Sequence, residues 1–244
     1  MSPQGDGRFP TTHWTLIARL KSADAETARR ALEDLCTQYH FPLYCVIRRK
    51  GLAHHDAEDA LHDFLAKLLR LDAFAAAEAD KGRLRAFLHT ALSRFLANWH
   101  RDRAAQAREV SIDALPHGEE DERRYREERF PDHETPERLF DRQWARELLT
   151  RVLRQLEAQY VERGKGAIFT ALAPVLQRGG SLREEDAPAL AAALGLSAGM
   201  LRTRLHRFLK EYRDLLEAEV FQTVGTREEV DAEIAHLQAA FRKG

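Results

Sequence analysis

Residues 186–216 read DAPALAAALGLSAGMLRTRLHRFLKEYRDLL, and this stretch decides how the chain is classed. Pro188 sits in an opening turn behind Asp186, Gly195 offers the backbone freedom of a tight turn, and Ser197 can cap a second helix. In that second helix Met200, Leu201, Leu205, Phe208, Leu209, Tyr212, Leu215 and Leu216 recur at helical spacing and face a core. The pattern predicts a helix-turn-helix. Its outer side carries Arg202, Thr203, His206, Arg207 and Lys210, with only Glu211 close enough to offset them. A strip of donors along a second helix suits a reader of the major groove, where arginines reach guanine edges or phosphates. A solvated basic helix has the same pattern, so the strip does not by itself decide function.

The second informative stretch is HHDAEDALHDFLAKLL, residues 54–69. Ala57, Ala60, Leu61, Phe64, Leu65, Leu68 and Leu69 mark one buried face of an amphipathic helix. His55, Asp59, His62 and Asp63 fall at i, i+4, i+7 and i+8, as the ligands of a helical metal site do. The alternative is a solvated acidic face with Asp56, Glu58 and Asp59 near a helix N-terminus, where negative charge is stabilised. The second reading is the commoner cause of such a cluster, and no metal is expected from it.

With 244 residues the chain is long enough for one large domain or two small ones. Charged residues make up 32% and glycines number only 13, which favours a helical protein. The net charge of −1 excludes a uniformly basic nucleic-acid-coating protein and moves attention to local clusters. Basic residues collect at 83–108 and 202–213, and acids at 56–63 and 113–128. Cys36 and Cys45 lie in apolar helical patterns without metal-ligand spacing, and read as buried thiols of a reducing compartment. The opening MSPQGDGRFPTTHW has no apolar signal core, and no stretch has the length of apolar sequence that spans a bilayer. A cytoplasmic protein with no membrane partner is expected.

Along the chain, 26–49 keeps helical spacing up to Pro42, which predicts a break there and a short helix over 43–50. Leu84, Phe87, Leu88, Ala91, Leu92, Phe95, Leu96 and Trp99 form another stripe, whose reverse side carries Arg85, His89, Arg94, Asn98 and Arg101. Residues 105–136, with three prolines and dense mixed charge, read as a linker. Helices resume at Glu137 and around 167–176, and 226–242 predicts one more, with Thr226 and Glu229 as a capping box. Its stripe of Val230, Ile234, Leu237 and Phe241 is expected to pack on the helix-turn-helix or on another protein. The fold expected is all-α, with two helical domains, 1–104 and 137–244, joined by the charged linker 105–136.

At this point the motifs, in their order, resemble those of extracytoplasmic-function-type sigma factors, the promoter-recognition subunits of bacterial RNA polymerase. Asp56, Ala57, Glu58, Asp59, Ala60 and Leu61 match the D-A-E-D-hydrophobic-hydrophobic opening of the family's clamp-binding helix, with His62 where glutamine is usual. The stretch GRLRAFLHTALSRFLANWHRDRA, 82–104, is similar to the helix that handles the minus-ten element. There Phe87 stands for a tryptophan, and Arg94 stands where asparagine is common. LGLSAGMLRTRLHRFLKEYRDLL resembles the region-four motif, with Phe208 for a small alanine. RFPTTHWTLI is similar to the opening of a sigma-like subgroup with an F-P-x-T-x-W start. The resemblance covers about two-thirds of the chain.

The resemblance implies a transcription initiation factor without catalytic residues or cofactors. It implies that Asp56, Glu58, Asp59, His62 and Asp63 dock on core RNA polymerase at the beta-prime coiled coil. It also implies that Arg83, Arg85, Arg94, Asn98 and Arg101 contact DNA at the minus-ten element, and Ser197, Arg202, Thr203, His206, Arg207 and Lys210 at the minus-thirty-five element. An anti-sigma factor is a further candidate partner. Two alternatives remain: a sigma-derived DNA-binding or adaptor protein that no longer supports initiation, and a helical metal-dependent phosphohydrolase using residues 54–63 with His89 or His100.

Overall fold

In a computed structural model the described residues are Arg19, Ser22, 24–70, 84–103, 118–128, 130–131, 134–224 and 227–241. They form nine α-helices and no strand: α1 (Ala25–Arg49), α2 (His54–Arg70), α3 (Leu84–Arg103), α4 (Gly118–Glu127), α5 (Pro136–Glu162), α6 (Gly166–Gln177), α7 (Ala187–Ala193), α8 (Ala198–Phe221) and α9 (Glu228–Ala240). None of these helices is long and apolar enough to cross a membrane.

Contacts divide the chain into two compact units, one of residues up to Glu147 together with those from Val220 onward, the other Leu148–Glu219. The division expected at the linker therefore differs from the one the packing makes. Residues 137–147 and the last helix group with the N-terminal part; their buried side chains include Leu139, Phe140, Trp144, Val230 and Leu237 as well as Gln143 and Glu233.

In the first unit α1 starts at Asp24, whose carboxylate accepts the Thr27 backbone N–H at 2.9 Å. The break expected at Pro42 does not occur; α1 runs through it to Arg49. Proline inside a helix costs about 3 kcal/mol through a lost hydrogen bond and a clash. Tyr39 to Ile47 are all buried, so packing on every side offsets that cost. On α2, Ala57, Ala60, Leu61, Phe64, Leu65 and Leu68 are buried as their spacing predicts, and Leu84, Leu88, Leu92 and Trp99 of α3 likewise.

The linker expectation is corrected over 118–127, which form α4 inside the first unit. Its two buried side chains, Asp121 and Glu122, are acids, which no hydrophobic period reveals. Asp121 meets His40 Nδ1 at 2.6 Å, and Glu122 accepts the Tyr44 hydroxyl at 2.7 Å and Arg48 at 3.2 Å. Arg126 Nε adds a third donor to Glu122 at 2.6 Å. A buried carboxylate persists only when it is paired and hydrogen-bonded in this way.

The second unit has its own core of Leu156, Tyr160, Phe169, Leu172, Val175, Ala191, Leu201, Leu205 and Phe208. Tyr160, Phe169 and Phe208 stack on one another, with Tyr160 and Phe208 edge-to-face at 5.4 Å between centroids.

Candidate functional site

Helix α7, the turn and α8 make the helix-turn-helix that residues 186–216 predict. Gly195 turns the chain at φ 63°, a left-handed conformation that glycine adopts without steric cost. The Ser197 hydroxyl accepts the Met200 N–H at 3.3 Å, which caps α8. Asp186 makes no such side-chain cap, although Pro188 does stand in the first turn of α7. Met200, expected in the core, is 52% exposed. Leu201, Leu205 and Phe208 are buried as expected and fill the inward face without it.

The outer face of α8 carries Arg202, Thr203, His206, Arg207 and Lys210, all exposed. Thr203 gives its hydroxyl to the Gly199 carbonyl at 3.1 Å, so its oxygen points along the helix rather than away from it. Among the described residues, no carboxylate pairs with Arg202, Arg207 or Lys210. Glu211, the acid expected to offset them, is bound instead to Arg163 at 3.0 Å. Arg204, one step round the helix, is half-buried and near Tyr160. Burial, with Glu211 beside it, pushes the Tyr160 hydroxyl up to about 12.

Helix α2 presents His55, Asp59 and Asp63 to solvent, while Asp56, Glu58 and His62 are half-buried. Asp63 accepts the indole N–H of Trp99 at 3.1 Å, so one oxygen of that acid serves α3. His62 faces His40, with ring centroids 6.5 Å apart. Burial, with His40 facing it, holds its imidazole below the usual range. The set His55, Asp59, His62 and Asp63 is not brought together as one donor group. Among the described residues the group of three possible ligands that does converge is His54, His55 and Glu58, with donor atoms within 4.8 Å of one another. Sequence spacing pointed to the outer face; this group forms because His54 is drawn inward by Tyr44, a partner ten positions earlier.

The expected minus-ten side of α3 divides. Arg94 and Asn98 are exposed, and the Asn98 amide donates to the Arg94 carbonyl at 3.2 Å. Arg83 and the side chain of Arg101 lie outside the described residues. Arg85, expected on the exposed reverse side, is only 6% exposed. Its Nε donates to Glu233 Oε1 at 2.7 Å and its Nη2 to Oε2 at 3.3 Å, while Nη1 binds Asp141. Burial opposes the charge, but these two carboxylates outweigh it and raise the guanidinium above its ordinary value. The guanidinium also lies over the Trp144 ring, 5.4 Å from its centroid. Asp141 receives His236 as well, at 2.7 Å.

Helix α9 thus packs within the first unit through Glu233 and His236, beside buried Val230 and Leu237, and not in the helix-turn-helix unit. Phe241, expected in its buried stripe, is 41% exposed. Thr226 of the expected capping box lies outside the described residues; Arg227 precedes α9 without a side-chain cap.

Both thiols are buried, and burial pushes Cys36 up to about 11 and Cys45 well above its ordinary value. Compared with protein-family models, with curated proteins and with solved structures, the chain finds no match.

Proposed function

We propose that the protein is a transcription initiation factor of the sigma type, which binds core RNA polymerase and directs it to promoter DNA in the cytoplasm. The observation that carries this reading is the outer face of α8. Arg202, Thr203, His206, Arg207 and Lys210 stand exposed on the second helix of a capped helix-turn-helix, and no described acid pairs with its arginines or lysine. Such a face matches the polyanionic major groove, with arginines able to address guanine edges and the lysine a phosphate. Asp59 and Asp63, one helical turn apart and exposed on α2, supply an acidic face for a basic partner, which the beta-prime coiled coil would be. In this reading the chain has no catalytic residues; the polymerase forms the phosphodiester bonds, and the chain contributes binding energy to base unstacking.

The adaptor reading is favoured by one observation. Arg85 lies in the helix that resembles the minus-ten reader, yet its guanidinium is occupied by Glu233 and Asp141. A chain that grips DNA with α8 and docks on polymerase without opening the duplex fits that arrangement.

The experiment is reconstitution of the full chain with bacterial core polymerase, followed by size-exclusion chromatography and run-off transcription from a library of promoter fragments. Co-elution with specific transcripts supports the initiation factor. Co-elution without transcripts supports the adaptor, and failure to co-elute refutes both.

A further inference from the structure

The geometry points to a binding site for a divalent transition-metal ion of the zinc class at the start of α2, held by His54, His55 and Glu58. This inference does not rest on the transcription reading.

The three donors lie within 4.8 Å of one another, and two of their three pairs stand near the edge length of a tetrahedral site. His54 Nε2 lies 3.4 Å from Glu58 Oε2, and His55 Nδ1 lies 3.9 Å from the same oxygen. Ligands bound tetrahedrally at about 2.0–2.1 Å stand roughly 3.3–3.4 Å apart, so the first pair needs almost no movement. His55 is 93% exposed at its side chain, so a change of rotamer can close the second pair by about half an ångström.

A second observation lies outside the group. The Tyr44 hydroxyl has one proton, and it donates that proton to Glu122 Oε2 at 2.7 Å. His54 Nδ1, 2.9 Å from the Tyr44 oxygen, must therefore be the donor there. A neutral imidazole whose Nδ1 carries the proton has its lone pair on Nε2, the nitrogen that faces Glu58. This is the arrangement in which metal-bound histidines are held: the far ring nitrogen donates to a fixed acceptor, which sets both tautomer and ring orientation. The relay from His54 through Tyr44 to Glu122 is anchored by Arg48 and Arg126, which also hold Glu122.

Two imidazoles and one carboxylate are the ligand types of zinc and its neighbours rather than of magnesium or calcium, which take oxygen donors. With three protein ligands and His55 at the surface, at least one coordination position faces solvent. It is open to water or to a side chain of a partner. The rival arrangement is a charged His54 donating one N–H to Tyr44 and the other to Glu58, with no metal affinity.

The test uses the full-length chain stripped with a chelator and titrated with Zn2+ by calorimetry and with Co2+ by visible absorption. The site requires one saturable ion per chain. It also requires at least tenfold weaker binding in His55→Ala and in Glu58→Gln, and loss of the cobalt band in both, with unchanged circular dichroism. Tyr44→Phe removes no ligand and should still weaken binding about tenfold or more, as loss of an outer partner does. Excess Mg2+ should not displace the ion. Absence of a saturable site, or His55→Ala and Glu58→Gln variants that bind like the parent, would overturn the inference in favour of the charged-histidine arrangement.

Discussion

Replacing Arg85 by Met isolates a buried ion pair of the first unit. Glu233 is 0% exposed, and Arg85 meets it with two donors at 2.7 and 3.3 Å. Without the guanidinium, the buried Glu233 carboxylate loses two donors, while Asp141 retains His236. Removing one partner of a buried pair costs about 3–5 kcal/mol. For a chain of this size each kcal/mol lowers Tm by about 2–4 °C, so a fall of roughly 6–20 °C is expected. The double replacement Arg85→Met with Glu233→Leu removes both charges and fills the volume with apolar groups, so it should recover most of the loss. Urea melts of the full chain followed by circular dichroism give the free energies, and hydrogen exchange of the α3 amides assigns the change to the first unit. A single replacement costing under about 1 kcal/mol, or a double variant as unstable as the two singles summed, would refute the buried pair as described.

Asp59→Arg places a like charge against a basic partner on an exposed face, and should abolish co-elution with core polymerase while circular dichroism stays unchanged. Arg202→Ala and Arg207→Ala should each cost about 1–3 kcal/mol of binding and relax preference at particular bases, read by titrating the full chain with duplexes recovered from the library and with scrambled ones. Lys210→Ala should instead weaken all duplexes alike and lessen the salt dependence. Burial raises the Glu122 carboxyl, but Tyr44, Arg126 and Arg48 outweigh it and hold it below its ordinary 4.5. A depressed acid contributes stability that is complete above its unfolded value and disappears as pH falls through its folded value. Glu122→Gln should therefore flatten the loss of stability seen below about pH 5 in acid titrations. Neither Cys36 nor Cys45 should react with a thiol reagent at pH 8 until the chain is unfolded, since both are buried and held as thiols.

Apolar faces were legible in the sequence because burial repeats with the helix: most inward residues of α2, α3 and α8 follow from spacing, with Met200 and Arg85 as the exceptions. The outer face of α8 was legible for the same reason, being what remained once Leu201, Leu205 and Phe208 were placed inside. Contacts in which charge does the work of a hydrophobic face were not legible. Helix α4 looked like linker because its buried side chains are Asp121 and Glu122, and their partners His40, Tyr44 and Arg48 lie some eighty positions earlier. Arg85 looked like a surface cation for the same reason: nothing near it in the chain announces Glu233. Pro42 misled in the other direction, as a strong local signal overridden by packing on all sides.

The partners Arg85 and Glu233 stand 148 positions apart. The chain leaves the first unit within α5 and rejoins it within α8, so the second unit is an insertion in the first. On the ribosome, Arg85 can meet Asp141 once α5 has been made, but must wait for its second carboxylate, Glu233, until the last helix follows. The intervening unit, whose core draws on residues from Leu156 to Leu215, can fold in the meantime. A protease cut or an early stop after the second unit would leave that unit whole and the N-terminal one incomplete. Damage at the end of the chain would then register first at its beginning.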